Sequence, residues 1–276
     1  MRKAVFLDVD GTYMVGNEVP PSAADAVRAA RANGHQVFLC TGRSLSEIYA
    51  HITEAGFDGV ISAGGAVIDH DGRRLESHAY PPELLDRALA WLDAHGIDHI
   101  LETDAAMLGS AGTRAHLARI VHPDLDAADL DALVATDTDF IKPIVTLAGH
   151  DLDGVVHKIL LLGSDVPLDE VRAEFGAELD VIGDTIPRFG ANMGELALPG
   201  VHKATAIERL LAEVGIDRAD TIAFGDGTND LEMLDYVAVG VAMGDSPAVV
   251  RDAADLVVPA ASDEGLAIGF RRLGLT

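Results

Sequence analysis

The sequence has little of several residue types, and each shortage excludes a class of protein or of site. Cys40 is the single cysteine among 276 residues, which excludes an intrachain disulfide and a zinc site built from several cysteines. Lysine and arginine together number 20 against 45 aspartates and glutamates, for a formal net charge of −25. A surface this acidic disfavours binding to nucleic acid and to anionic membranes.

Long apolar stretches are also lacking. No apolar run approaches the length of about 18 residues that a membrane span needs, and Asp8 ends the first apolar run too early for a signal peptide. The apolar fraction is nevertheless 49%, with acidic residues interspersed among apolar ones, so the composition indicates folded cores. We therefore expect a globular, cytoplasmic protein that binds neither nucleic acid nor membrane; the sequence predicts no particular oligomeric state.

Strands alternate with helices at both ends of the chain. Apolar runs at Ala4–Leu7, Gln36–Cys40 and Thr221–Phe224 predict buried strands, each followed by a polar loop. Ser22 is the predicted N-cap of the helix that follows the first of these loops, and Leu231–Tyr236 is predicted to be a helix near the end of the chain. This alternation is typical of an α/β fold with a parallel sheet and right-handed crossovers.

The middle of the chain has a different pattern. Asp71-Gly72 lies between two apolar segments and predicts a β-hairpin, and helices over Pro82–His95 and Leu168–Gly176 are mixed with strands such as Val155–Leu162. We interpret this part as an α+β domain inserted into the α/β domain. The predicted boundaries divide the chain into residues 1–81, 82–188 and 189–276.

Asp8 and Asp10 follow the first predicted strand. Because carboxylates at i and i+2 from a strand end point the same way, both are expected in the crevice beyond the carboxyl end of the sheet, where α/β folds bind ligands. Two carboxylates this close repel each other, so either one is protonated or a cation lies between them. An ionised aspartate can attack phosphorus, and a neutral one can protonate a leaving oxygen.

Two other segments have the same Asp-x-Asp-Gly spelling, at residues 69–72 and 151–154. Predicted strands flank each of them on both sides, so we expect a hairpin turn at both. The segment at Asp8 differs because it leads from a strand towards a helix.

A second acidic loop lies between a predicted strand and a predicted helix and reads Gly225-Asp226-Gly227-Thr228-Asn229-Asp230. One interpretation of its Asn and Asp residues is helix N-capping. If the two acidic strand ends are neighbours, Asp8, Asp10 and Asp226 form an oxygen-rich site of the kind that Mg²⁺ prefers. An EF-hand is excluded because neither acidic cluster is followed by ligands at alternate positions.

Two further segments have the chemistry to hold an anion. Thr41-Gly42, at the end of the second predicted strand, has a hydroxyl and accessible backbone N–H groups. Lys203 stands where the helix containing Ile207 to Val214 begins, and it is one of only four lysines in the chain. Taken alone, Thr41-Gly42 is more simply interpreted as a strand-end turn, and Lys203 as a solvated helix lysine.

In this combination the chain resembles the haloacid dehalogenase superfamily. Four short motifs stand in the order of that family: Asp8-Val9-Asp10-Gly11-Thr12, Thr41-Gly42-Arg43, Lys203 and Gly225-Asp226-x-x-Asn229-Asp230. The inserted segment is similar to the C2-type cap of the Cof-like, type IIB hydrolases. The resemblance covers nearly the whole chain and implies a Rossmann-like parallel-sheet core, residues 1–81 and 189–276, with an α+β cap, residues 82–188.

The resemblance also implies a role for each motif. Asp8 would be the nucleophile that forms an aspartyl-phosphate, and Asp10 the general acid for the leaving alcohol and then the base for water. The groups expected to hold the phosphoryl oxygens are backbone N–H groups around Val9 together with Thr41, Gly42, Lys203 and Asn229. The groups expected to bind Mg²⁺ are Asp8, the Asp10 carbonyl and Asp226, with Asp230 behind them or linked through water.

The function implied is that of a Mg²⁺-dependent phosphatase acting on a small phosphorylated metabolite such as a sugar phosphate. The alternatives are a phosphomutase with the same intermediate and a non-catalytic regulatory protein that binds a phosphorylated ligand. Gly64 stands where the family often has an asparagine, which removes one amide expected to contact substrate. Arg43 and Arg188 are candidates for specificity contacts, although a structural or solvated role is the simpler expectation for each.

Overall fold

A computed structural model describes residues 2–126, 128–129, 132–133, 143–183 and 191–276. Contacts divide the chain into two compact units, the first made of Met1–Ser77 with Gly200–Thr276 and the second of His78–Pro199. Arg188 and the predicted boundary at residue 189 lie outside the described residues. Among the residues described, no helix has both the length and the apolarity that a membrane crossing requires.

The helices and strands form three groups along the chain. The first group, in the first unit, contains β1 (Ala4–Leu7), α1 (Pro21–Ala32), β2 (Gln36–Cys40), α2 (Ala50–Thr53), β3 (Gly59–Ser62), β4 (Val67–His70) and β5 (Arg73–Ser77). The second unit contains α3 (Pro82–Ala94), β6 (His99–Thr103), β7 (Met107–Gly109), α4 (Thr113–Val121), β8 (Ile144–Thr146), β9 (Val156–Leu161), α5 (Leu168–Phe175), β10 (Asp180–Gly183) and β11 (Gly194–Ala197). The last group returns to the first unit with α6 (Lys203–Val214), β12 (Thr221–Gly225), α7 (Leu231–Tyr236), β13 (Val239–Ala242), α8 (Ala248–Ala253), β14 (Leu256–Val257) and α9 (Gly265–Arg272).

The first unit is built on a sheet with the strand order β14-β13-β12-β1-β2-β3-β4-β5. The strands from β14 to β3 run parallel, and β4 and β5 add an antiparallel edge. The β4–β5 pair is the hairpin predicted at Asp71-Gly72. Parallel strands joined by helices confirm the predicted α/β fold.

Strand β1 illustrates why this sheet is buried on both faces. Val5 and Leu7 pack into the apolar core on one face, together with α1 and α9. Ala4 and Phe6 pack into the core on the other face, together with α6 and α7. A parallel strand covered on both faces is a continuous apolar run, and this is why β1 can be predicted from the sequence.

Helix α1 begins two residues earlier than predicted. Pro21 is its first residue and Pro20 is the N-cap, so the prediction that Ser22 caps the helix is wrong. Proline suits the first helical turn because the backbone N–H that it lacks would have no partner within the helix there.

The second unit contains a sheet with the order β10-β11-β9-β6-β7-β8. The pair β7–β8 is parallel and the other pairs are antiparallel. Helices α3 and α5 pack on one face, with Leu101 and Ile159, and α4 packs on the other, with Ile100 and Leu160. Residues 78–81 and 191–199 lie in this unit, where β11 pairs with β9 and β10, whereas the sequence places both segments in the first unit.

The turn at residues 151–154 is not a hairpin, so that prediction is wrong. The turn leads into β9, which pairs with β6 and β11, whereas β8 before it pairs with β7. Asp151 Oδ1 instead accepts a hydrogen bond from the Asp153 N–H at 3.2 Å, a local contact that stabilises a turn.

Candidate active site

Several loops meet at the carboxyl end of the parallel strands in the first unit. Strands β12, β1 and β2 are neighbours in the sheet, so the loops that follow them bring Asp226, Asp8 and Thr41 to one edge. Lys203 arrives there as the first residue of α6. The chain leaves β1 for a neighbour on one side and later returns to its other side, and α/β sheets bind ligands at such a switch point.

Lys203 lies between two carboxylates. Its Nζ donates hydrogen bonds to Oδ1 of Asp8 and to Oδ1 of Asp230, each at 2.6 Å. The side chains of Lys203, Asp8 and Asp230 are only 3%, 7% and 0% exposed. Burial alone would lower the pKa of Lys203, but the two carboxylates raise it above its usual value. Lys203 is therefore a buried, charged group, not a solvated helix lysine.

Asp230 also organises the loop that presents Asp226. Its Oδ2 accepts hydrogen bonds from the backbone N–H groups of Asp226 and Gly227, each at 3.0 Å. Both oxygens of Asp230 thus accept hydrogen bonds inside the protein: Oδ1 from Lys203, and Oδ2 from the two backbone N–H groups. Asp230 makes no side-chain capping bond to α7. Its side chain therefore stabilises the loop before the helix and not the helix itself.

Gly11 permits Asp226 to approach the first acidic loop closely. The φ angle of Gly11 is +81°, and a Cβ at this position would lie 2.3 Å from Asp226 Oδ2. Thr12 Oγ1 donates a hydrogen bond to Asp226 Oδ1 at 3.1 Å. The Asp-Gly-Thr segment therefore positions a carboxylate from a distant strand, since only glycine tolerates both this φ angle and this contact.

Asp10 has a different environment from Asp8. Its side chain is 55% exposed, and both of its carboxylate oxygens accept hydrogen bonds from Arg43. Arg43 Nε lies 2.7 Å from Oδ2 and Nη2 lies 2.6 Å from Oδ1. The Asp10 carboxylate is not among the described side chains that cluster with Asp8. The structure thus gives Arg43 a definite partner, which the sequence did not predict.

The residues predicted to hold a phosphoryl group lie around the same edge. Thr41 is buried, and its Oγ1 accepts a hydrogen bond from the Arg43 N–H at 3.1 Å. Asn229 is exposed, and its Nδ2 would be 3.8 Å from a Cβ on Gly42, so the two loops are adjacent. The Val9 carbonyl accepts the Met14 N–H at 2.8 Å, which closes the loop that carries Asp8 and Asp10.

The oxygens of Asp8, Asp226 and Asp230 form a cluster suited to a divalent cation. One carboxylate oxygen from each lies within 4.8 Å of the others. Burial and the neighbouring Asp230 raise the pKa of Asp226 to about 6. Burial also raises the pKa of Asp8 well above its ordinary value, with repulsion from Asp230 adding to the shift and Lys203 opposing it. A cation relieves such repulsion, and the hard oxygen donors fit Mg²⁺. Asp8 and Asp226 are the better direct ligands because both oxygens of Asp230 already accept hydrogen bonds.

A model of the haloacid dehalogenase-like hydrolases matches residues 5–269 of the chain. This chain is a haloacid dehalogenase-like hydrolase. Phosphatase YwpJ of Bacillus subtilis (strain 168) is 26% identical to the hydrolase over 290 residues, 98% of this chain and 99% of that protein. A phosphoglycolate phosphatase of Methanothermobacter thermautotrophicus is 35% identical over 274 residues, 98% of each.

The solved structures agree on the fold. The structure of a HAD subclass IIB sugar phosphatase matches the hydrolase with a TM-score of 0.78 at 24% identity, over 99% of this chain and 100% of that chain. The predicted resemblance and fold are thereby confirmed, and the hydrolase is an enzyme, a phosphatase of the Cof-like group.

The short loop after β3 joins two sides of the hydrolase site, a role that the sequence did not predict for Gly64 and its neighbours. The Ala63 N–H donates to the Arg43 carbonyl at 2.7 Å, and the Gly64 N–H donates to the Thr41 carbonyl at 3.0 Å. Gly65 has a φ of +112°, and a Cβ there would lie 2.5 Å from the His202 carbonyl oxygen. This glycine thus lets the loop pack against the start of α6; the available signal was the Gly-Gly pair directly after a strand.

Proposed function

We propose that this hydrolase is a Mg²⁺-dependent phosphatase that acts on a small phosphorylated metabolite, such as a sugar phosphate, through an aspartyl-phosphate on Asp8. The observation that carries the proposal is the buried contact between Lys203 Nζ and Asp8 Oδ1 at 2.6 Å. It fixes a carboxylate at the end of β1, next to a permanent positive charge, in the crevice where this fold binds ligands.

Asp8 is the proposed nucleophile. One of its oxygens forms a bond to phosphorus while the bond from phosphorus to the leaving oxygen breaks. Lys203 holds the Asp8 carboxylate in place and, with Thr41, Gly42 and Asn229, faces the phosphoryl oxygens, as do the backbone N–H groups around Val9. Fixed donors and positive charge stabilise phosphoryl transfer because its transition state spreads negative charge over those oxygens.

Asp8 and Asp226, together with the Asp10 carbonyl, are the residues that would hold Mg²⁺, with Asp230 fixing the Asp226 loop. When bound, the ion supplies positive charge to the phosphoryl oxygens and favours the ionised form of the carboxylates around it.

Asp10 is the proposed general acid and base. In the first step its carboxylic acid gives a proton to the leaving oxygen as the ester bond breaks, which leaves Asp10 ionised. In the second step ionised Asp10 takes a proton from water, the water oxygen bonds to phosphorus, and the bond between phosphorus and Asp8 breaks. Inorganic phosphate leaves, and both aspartates return to their starting states.

Release of inorganic phosphate from p-nitrophenyl phosphate tests the reaction. We expect Mg²⁺-dependent release that Asp8→Asn abolishes and that excess EDTA suppresses, because the metal-free site repels an anion. Asp69→Asn is the matched control, since Asp69 belongs to a segment of the same spelling that forms a hairpin. Absence of turnover across a broad panel of phosphate esters would leave only a ligand-binding role, and interconversion of hexose phosphate isomers would identify a phosphomutase.

Phosphoglycolate is the second candidate substrate, because it is named for the relative that is 35% identical over 98% of this chain. A panel of sugar phosphates, phosphoglycolate, flavin mononucleotide and pyridoxal phosphate separates the candidates by kcat/KM. A preference for phosphoglycolate over every sugar phosphate would replace the first candidate with the second.

A further inference from the structure

We propose that Arg43 is the positioning residue for Asp10, which orients the Asp10 carboxyl towards the leaving group during phosphoryl transfer. The inference rests on the proposed function, since it matters only where Asp10 protonates a leaving oxygen. It assigns a positioning role to a side chain that the sequence offers only as a candidate specificity contact or a structural residue.

The contact between the two side chains is a fork. Arg43 Nε and Nη2 each bind a different oxygen of Asp10, at 2.7 Å and 2.6 Å. A planar guanidinium that makes two parallel bonds fixes both the position and the plane of a carboxylate. The Asp10 side chain is 55% exposed and the Arg43 side chain only 18%. The more buried Arg43 therefore restricts the orientation of the more exposed Asp10.

Arg43 is itself held by further bonds that tie it to the phosphate-binding edge. Its N–H donates to Thr41 Oγ1 at 3.1 Å, and its carbonyl accepts the Ala63 N–H at 2.7 Å. Its third guanidinium nitrogen, Nη1, donates to the Glu47 carbonyl at 3.0 Å. Glu47 is fixed in turn, because its Oε2 accepts the Ser44 N–H at 3.0 Å. Asp10 is therefore oriented relative to the same turn that carries Thr41.

The loss of activity caused by removing Arg43 should therefore be larger for substrates whose leaving group needs a proton. A sugar alkoxide is strongly basic and leaves poorly without protonation, whereas p-nitrophenolate is weakly basic and leaves readily. General acid catalysis contributes about 10²–10⁴-fold where it is needed. The parameter to compare is kcat/KM, because it includes only the steps up to departure of the leaving group.

The experiment measures kcat/KM with Mg²⁺ for glucose 6-phosphate and for p-nitrophenyl phosphate. We expect Arg43→Ala to lower the value for the sugar phosphate about 10–100-fold more than the value for the aryl phosphate. Arg43→Lys, which keeps the charge without the fork, should give an intermediate difference. Arg31→Lys is the matched control: Arg31 binds both oxygens of Asp58 at 3.0 Å in an equal fork, and we expect no change in the ratio of the two substrates.

A double variant shows whether Arg43 acts through Asp10. Asp10→Asn should give the same bias against the sugar phosphate, and adding Arg43→Ala to it should not increase that bias. An unchanged ratio of kcat/KM for the two substrates in both Arg43 variants, or full additivity with Asp10→Asn, would overturn the inference. A wild-type enzyme inactive on both esters, or an active Asp8→Asn variant, would instead overturn the proposed function.

Discussion

Methionine in place of Lys203 would keep much of a buried side chain's volume and remove its charge. The Lys203 ammonium contacts Asp8 and Asp230 at 2.6 Å each, and the three side chains are 3%, 7% and 0% exposed. Without the ammonium, buried carboxylates lose their cation, and removing one partner of a buried ion pair costs about 3–5 kcal/mol. A change of 1 kcal/mol shifts Tm by about 2–4 °C at this chain length, so we expect Tm to fall by about 6–20 °C.

Lys3 provides a control at the same distance and with greater exposure. Its Nζ lies 2.6 Å from Asp220 Oδ1, with side chains 32% and 21% exposed. Because solvent screens such a pair, Lys3→Met should cost no more than about 1 kcal/mol. Thermal and urea unfolding of both variants at pH 7 in EDTA, followed by circular dichroism, gives the comparison. Equal losses for Lys203→Met and Lys3→Met would refute the argument, because the contacts are equally short but those of Lys203 are buried and involve two carboxylates.

Three further predictions concern the acidic cluster and the loop beside it. The pKa of Asp226 is about 6 in the fold, against an ordinary value of 3.8, so the folded state binds the extra proton between these values. In EDTA the contribution of Asp226 to the free energy of unfolding should therefore fall by up to about 3 kcal/mol as pH rises from about 4 to about 6, so the wild type should lose stability relative to Asp226→Asn over this range. At pH 7, Mg²⁺ at about a hundred times its Kd should raise the free energy of unfolding of the wild type by about 2.7 kcal/mol and that of Asp226→Asn by less. Gly65→Ala should lower Tm and kcat more than Gly72→Ala, since both glycines have positive φ but only Gly65 would meet backbone, 2.5 Å from the His202 oxygen.

These predictions can fail separately. The pH argument is wrong if, in EDTA, the difference in unfolding free energy between the wild type and Asp226→Asn stays constant between about pH 4 and about pH 6. Equal stabilisation of the wild type and Asp226→Asn by Mg²⁺ would place the ion elsewhere. Equal losses in Gly65→Ala and Gly72→Ala would mean that the contact with His202 does not matter.

The strand ends that carry Asp8, Thr41 and Asp226 are predictable from sequence for a physical reason. Each follows a strand buried on both faces, which is a continuous apolar run, and a polar loop marks the end of that run. Neighbouring parallel strands then bring those ends to one edge of the sheet. Local patterns therefore contain most of the information needed to assemble this part of the site.

Contacts between residues far apart in the sequence cannot be predicted from local patterns. The turn at residues 151–154 has hairpin chemistry, but its flanking strands pair with other strands of the sheet. The fork between Arg43 and Asp10 depends on the direction of two side chains that are 33 positions apart. The close contact of Gly65 with His202 likewise depends on how α6 packs against the sheet, which no short motif encodes.

The central place of β1 affects the order in which the protein can be assembled on the ribosome. In the first unit, β1 pairs with β12, although the whole second unit separates them in sequence. The described strands of that second unit find their partners within residues 78–199. Asp8 emerges 195 positions before Lys203. Translation thus delivers the proposed nucleophile early and the group that balances its charge late, so the contacts of Lys203 with Asp8 and Asp230 cannot form until residue 230 has been made.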